Sequence, residues 1–149
     1  MTEVIAPEGF RHHIAIQVRW GDLDALGHVN NAVFLTYMEQ ARITYMNEQQ
    51  LWDGTDAGLG VIMARIVLDY KLPLLVDDEV HVFSRCARLG NRSFEIEQQI
   101  VRIRDGQQAV SAQGTTTGVA YDYRLNQSVP IPAAWRERFK AYEIVPPQE

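Results

Sequence analysis

Between residues 28 and 53 the chain contains neither glycine nor proline, although its 149 residues include 10 glycines and 6 prolines. Within that stretch Val33, Tyr37, Ala41, Thr44 and Tyr45 recur at spacings of three and four. Such spacings return side chains to one face of an α-helix. They predict one long helix over about 31–50. Asn30 or Asn31 is the expected N-cap, because a short side-chain oxygen there accepts an otherwise unpaired amide. Trp52-Asp53-Gly54 is the expected end.

The rest of the chain reads mainly as strand. Residues 14–20 put Ile14, Ile16, Val18 and Trp20 on one side, the pattern of a half-buried strand. Residues 61–70 are β-rich and are followed by Pro73. Over 79–87, Val80, Val82, Ser84 and Cys86 alternate with His81, Phe83 and Arg85. Leu89-Gly90-Asn91 and Asp105-Gly106 read as turns that bound strands at 93–104 and about 108–121. Pro130 and Pro132 introduce a short helix over 133–142. Strands segregated from one central helix imply an α+β fold with an antiparallel sheet, not βαβ alternation. No repeat or linker divides residues 1–149, which read as one domain. A chain of this size buries roughly 70% of the surface its unfolded form exposes.

Charge and composition narrow the partners. Lys+Arg number 14 against Asp+Glu 19, a net charge of -5, and no basic run offers the dense cationic face that nucleic acids require. A small anionic ligand needs only two or three cations and stays open. No apolar run approaches the ~20 residues of a membrane span, and residues 1–11 lack the basic and apolar regions of a signal peptide. The lone cysteine, Cys86, alternates with apolar and small residues and reads as core in a soluble, cytoplasmic protein. There is no Gly-x-Ser-x-Gly elbow or phosphate-binding Gly-Lys loop, and Gly58-Leu59-Gly60 lacks the third glycine of a dinucleotide fingerprint. His12, His13, His28 and His81 have no metal-ligand spacing, and His12 and His13 point to opposite faces of a strand. No metal site is expected.

Uncommon residues concentrate in Gly21-Asp22-Leu23-Asp24-Ala25-Leu26-Gly27-His28-Val29-Asn30-Asn31, where a strand hands over to the long helix. A helix start offers unpaired N–H groups and a partial positive charge. Those amides can hold a carbonyl oxygen as it gains charge, while a carboxylate just before them attacks or activates water. Acyl transfer or hydrolysis is the chemistry implied. The same residues also serve architecture: Asp22 and Asp24 as turn caps, Gly27 as a positive-φ position, Asn30 as N-cap. A carboxylate of ordinary pKa, about 3.9, is a weak base, and spacing leaves base and nucleophile both open for Asp24.

The run from Trp20 to Asn31, followed by Tyr37-Met38-Glu39-Gln40-Ala41-Arg42, resembles the 4-hydroxybenzoyl-CoA thioesterase-like family of hotdog-fold acyl-CoA thioesterases. Leu68-Asp69-Tyr70-Lys71-Leu72-Pro73, Arg88-Leu89-Gly90-Asn91-Arg92-Ser93-Phe94 and Ile131-Pro132 extend the resemblance over about 13–140. It implies an antiparallel sheet wrapped around the long helix, paired edge to edge in homodimers, and often tetramers, with active sites at the interface. It also implies hydrolysis of an acyl-CoA thioester to free acid and CoA. Asp24 matches the family's catalytic carboxylate, and the carbonyl-polarising amide falls near Asn31. His28 and Asn30 resemble the His-Val-Asn-Asn of acyl-ACP thioesterases, although Leu26 stands where those enzymes carry asparagine. No cofactor is implied beyond the CoA of the substrate. An acyl-CoA hydratase or dehydratase on the same fold, using Asp24 with His28, is the alternative enzyme, and a non-catalytic acyl-CoA binder is the alternative outside catalysis.

Arg85, Arg88 and Arg92 lie within eight residues beside a turn, and guanidinium groups suit phosphate recognition. Arg88, Arg92 and the adjoining Ser93 are therefore candidates for the phosphates of CoA, against a plain reading as solvated strand-edge charges. Glu39 and Arg42 are expected to form an intrahelical pair. Phe34, Tyr37 and Met38 are placed either along an acyl pocket or in the core.

Overall fold

The computed structural model describes residues 3–51 and 58–149. Its strands are β1 (His12–Ile16), β2 (Leu59–Tyr70), β3 (Glu79–Leu89), β4 (Ser93–Arg104), β5 (Gln107–Asp122) and β6 (Gln127–Ser128). Its helices are α1 (Asn31–Glu48) and α2 (Ala133–Tyr142), and a 3-10 turn spans Trp20–Asp22. The strands form one antiparallel sheet in the order β1-β3-β4-β5-β2, with β6 on β5. α1 lies against β1, β3 and β4. This is the hotdog architecture.

The helix, the β3–β4 turn and the terminal helix stand where periodicity and punctuation predict. The β4–β5 hairpin turns through Asp105 and Gly106, both at positive φ (52° and 75°), as a twisted two-residue hairpin requires. The expected helix end at Trp52-Asp53-Gly54 lies outside the described residues. The first strand departs from expectation. It stops at Ile16, Val18 remains buried, and Trp20 is 79% exposed instead of sharing the buried face. The cause is local, because Asp22 draws the chain into the 3-10 turn and rotates Trp20 outward.

The α1-facing side of the sheet holds two apolar clusters. Phe34, Tyr37, Met38 and Ala41 pack with Ile16, Val80, Val82 and Ile100 at the start of the helix. Tyr45 and Met46 pack with Cys86, Phe94, Ile96 and the α2 residues Trp135 and Phe139 at its end. Buried polar groups lie between them. Gln98 Nε2 donates to Met38 O and Ser84 Oγ, both at 2.9 Å. Arg42 is 4% exposed and donates to Gln98 Oε1 (3.5 Å) and Thr116 Oγ1 (3.4 Å). The expected Glu39–Arg42 ion pair is therefore not formed, because Arg42 turns inward beneath the helix while Glu39 stays exposed.

β2 is hydrogen-bonded on one side only among the described strands, to β5. Ile62, Ile66, Val67 and Tyr70 along it are 37–48% exposed. A long, apolar, unpaired edge is a template for pairing with another strand.

Candidate active site

The loop between β1 and α1 is built by two aspartates with different tasks. Asp22 is buried. Its Oδ2 accepts from Tyr37 Oη (2.6 Å) and the Arg19 amide (3.0 Å), and its Oδ1 accepts from Arg19 Nη2 (3.1 Å). Burial alone would raise its pKa, but the bonds from Tyr37 and Arg19 outweigh burial and hold the carboxyl below the usual range. Asp22 thus fastens the loop to the second turn of α1, an architectural role. Its backbone carbonyl also accepts the Asn30 amide at 2.8 Å.

Asp24 sits two residues on, exposed, at the head of a tight turn. Leu23 and Val29 close the turn as an antiparallel bridge, and the Asp24 amide donates to His28 O at 2.7 Å. Gly27 makes the reversal at φ 81°, where a side chain would be strained. Asp24 Oδ1 accepts the amides of Leu26 (2.9 Å) and His28 (3.2 Å). Its Oδ2 accepts nothing from the described residues. One oxygen is held and the other is open.

At the start of α1 the polar groups are almost all committed. Asn30 Oδ1 accepts the Ala32 amide (2.9 Å), Asn30 O accepts the Val33 amide (2.9 Å), and Asn31 O accepts from Tyr70 Oη (2.7 Å). The Asn31 amide, first in the helix, has no acceptor among the described residues. It is the open donor that a helix N-terminus offers to a negatively charged oxygen.

Asp24, His28 and Asn31 line one cavity of about 340 Å³, together with Phe34, Tyr70 and Leu72. A carboxylate, an imidazole and a helix-start residue with an open amide thus share a pocket that also carries apolar surface. Phe34, Tyr37 and Met38 are all core residues, at 3%, 4% and 1% exposure, and of the three Phe34 also lines this pocket. The sequence reading missed Tyr70 and Leu72. Their signal was a strand-ending Tyr-Lys-Leu-Pro run, whose proximity to Asn31 depends on the order of strands.

Arg88, Arg92 and Ser93 do not join this pocket within one protomer. Ser93 pairs with Val119, which pairs with Ile62, whereas Tyr70 pairs with Ala112. Ser93 therefore lies roughly 25 Å along the sheet from the Tyr70 end, at ~3.3 Å per residue. Arg92 Nη1 meets Ser128 O and Ser128 Oγ, and Arg88 Nη1 stands 4.0 Å from Glu95. Arg85 pairs with Glu97 at 3.0 Å. Cys86 is fully buried, and burial pushes its thiol pKa up, as a core residue and not a nucleophile. Among the described residues no three histidine, cysteine or acidic side chains converge on a metal position, and no helix is long and apolar enough to cross a membrane.

The sequence profile of the thioesterase-like superfamily matches residues 18–139. The long-chain acyl-CoA thioesterase FadM of Escherichia coli (strain K12) is 27% identical over 135 residues, covering 84% of this chain and 94% of FadM. The crystal structure of a Thermus thermophilus thioesterase in complex with coenzyme A and zinc is 38% identical, with a TM-score of 0.77, over 91% of this chain and 96% of that one. The PA5185 protein of Pseudomonas aeruginosa strain PAO1 is 29% identical, with a TM-score of 0.78, over 90% and 92% of the two chains. The chain belongs to the thioesterase-like superfamily and is a hotdog-fold thioester hydrolase.

Proposed function

We propose that the enzyme hydrolyses its acyl-CoA through Asp24 Oδ2 and the Asn31 amide. The thioester carbonyl oxygen accepts the Asn31 N–H, which stabilises the charge that develops there. One such donor is worth about 3–4 kcal/mol where it has been measured. Asp24 Oδ2 takes a proton from the attacking water, or adds to the carbonyl carbon to give an anhydride that water then opens. In both routes the C–S bond breaks and CoA leaves as the thiol. His28, on the same wall, is assigned delivery of that proton. Water, a carboxylate and an amide suffice for the reaction, so no metal or redox cofactor is called for, and CoA enters only as part of the substrate. The observation that carries the reading is the shared cavity of Asp24 and Asn31, with a carboxylate oxygen and an amide left open.

The reading includes a homodimer joined at the free edge of β2. Antiparallel pairing of two β2 strands sets the Leu59 end of one beside the Tyr70 end of the other. The 88–93 turn of the partner subunit then lies about 14 Å to the side, three strand spacings of ~4.8 Å, instead of 25 Å along the sheet. Arg88, Arg92 and Ser93 would serve the phosphates of a CoA bound in the other protomer's pocket. The enzyme is placed in the cytoplasm, in keeping with its single buried thiol.

Thiol release from short, long and aromatic acyl-CoAs tests the reading, with Asp24→Asn beside wild type. Wild type is expected to turn over at least one ester and Asp24→Asn to lose about a hundredfold or more, the scale of an acid–base group. Binding of the esters without release by wild type would sink the hydrolytic route and leave a hydratase or a binder.

A further inference from the structure

Tyr70 is a conspicuous exposed residue at the pocket. It is 48% accessible, yet its hydroxyl is committed, donating to Asn31 O at 2.7 Å. Its ring stands edge-to-face on Phe34, centroids 5.1 Å apart and planes at 65°. The backbone behind it is fixed as well: Tyr70 pairs with Ala112 of β5, and the next two amides, of Lys71 and Leu72, both donate to Ser111 O (2.8 and 3.1 Å).

We propose that Tyr70 is a positioning residue for the Asn31 amide, holding the first residue of α1 so that its N–H stays aimed at the substrate carbonyl. This rests on the assignment of that amide to the thioester oxygen. Asn31 is the first helical residue and its N–H makes no intrahelical bond, while the carbonyl of the same peptide, Asn30 O, accepts the Val33 amide at 2.9 Å. The Ala32 amide donates to Asn30 Oδ1 and the Asn30 amide donates to Asp22 O, which fixes the cap. The following peptide, whose carbonyl is Asn31 O, is held from the β2 side by the Tyr70 hydroxyl, so the backbone of Asn31 is pinned on both flanks of its Cα. A donor stabilises a transition state only when it is aimed before the charge appears, and a misplacement of about 1 Å can cost about a hundredfold in rate. The hydroxyl also comes from the strand whose outer edge is unpaired among the described strands, so the device ties the geometry of the helix start to that edge.

Tyr70→Phe retains the ring against Phe34 and removes only the hydroxyl. Its kcat is expected to fall about tenfold to a hundredfold with KM within about threefold, the signature of an interaction made in the transition state. A carbonyl probe that does not depend on turnover completes the test: an acyl-CoA analogue with methylene in place of the thioester sulfur, read by infrared difference spectroscopy. Wild type should shift the ketone stretch to lower frequency, and Tyr70→Phe should lose most of that shift with the analogue still bound. An unaltered shift and kcat in Tyr70→Phe overturn the proposal alone. No shift in wild type overturns the Asn31 assignment, and this proposal with it.

Discussion

The two ends of α1 carry the same device in opposite settings. At the N-terminal end Asp24 accepts two backbone amides through Oδ1 and keeps Oδ2 in an open cavity. At the C-terminal end Glu143 accepts the Cys86 amide through Oε2 at 2.9 Å, while its Oε1 is buried without a partner among the described residues. Tyr45, His12 and Tyr142 pack around that site, with His12 Nε2 3.0 Å from Glu48. Burial, only partly offset by the bonds from Cys86 and Tyr45 and by two arginines, raises the Glu143 pKa to about 7. A carboxylate bonded to amides is thus not a site in itself. Access to its second oxygen is what separates Asp24 from Glu143.

Glu143 has a clear architectural task. β1 ends opposite Ser84, so the outer edge of β3 beyond that residue lacks a strand partner. The C-terminal segment covers it: Glu143 caps Cys86 N, Gln148 N donates to Ala87 O (3.0 Å), and Leu89 N donates to Gln148 O (2.7 Å). A bulge between Cys86 and Arg88 accommodates this change of partner.

Three perturbations bear on the contrast between the ends. The largest is Phe139→Ala, which opens the sealed end by removing a fully buried ring packed on Tyr45 and Phe94. Denaturant unfolding should show a loss of about 3–5 kcal/mol, while kcat of the folded enzyme stays near wild type. A matching loss of kcat under native conditions would mean that the ends are coupled.

Asp22→Asn comes next and acts at the open end. It replaces a buried carboxylate that accepts three bonds from Tyr37 and Arg19. A loss of about 1.5–3 kcal/mol is expected, the value of a charge-assisted bond. Because the native pKa is held below its ordinary value, this contribution is present at neutral pH and is lost as pH falls through the carboxylate range. The stability difference between wild type and Asp22→Asn should therefore shrink toward acid. A difference independent of pH would mean that the ionised form is not what matters.

The smallest effect is Glu143→Gln. The raised native pKa means that the fold favours the protonated acid, so the contribution is full below the ordinary value of 4.5 and is lost as pH rises through about 7. Amide exchange at Gln148 and Leu89, corrected for intrinsic rate, should accelerate between about pH 6 and pH 8 in wild type and stay flat in Glu143→Gln. Equal slopes would show that the tail is held by its backbone bonds alone.

How much of this could be read in advance follows from the range of the interactions. α1, its cap at Asn30, the Asp105-Gly106 hairpin and the Asp24-to-His28 turn depend on contacts within a few residues, so residue type and spacing specified them. Cys86 in the core and the opposed faces of His12 and His13 followed from strand alternation. Trp20 was misread because a period-two pattern ran into a turn set by a side chain, Asp22, that periodicity does not weigh. Arg42 was misread because helical spacing allows a pair with Glu39, while the burial that draws Arg42 to Gln98 and Thr116 comes from the sheet.

The sequence carried the reaction class and the turn that presents Asp24, since the strand-to-helix motif is contiguous. The fold decided the rest of the pocket. The Tyr70 bond to Asn31 spans 39 residues and the Glu143 bond to Cys86 spans 57. The separation of Arg88 and Arg92 from Asp24 likewise appears only with the strand register. These relations depend on the order β1-β3-β4-β5-β2, which brings the last residue of β2 to the first turn of α1. Side-chain patterns state which face of each element is apolar, and a strand order is chosen only when all those faces are buried together.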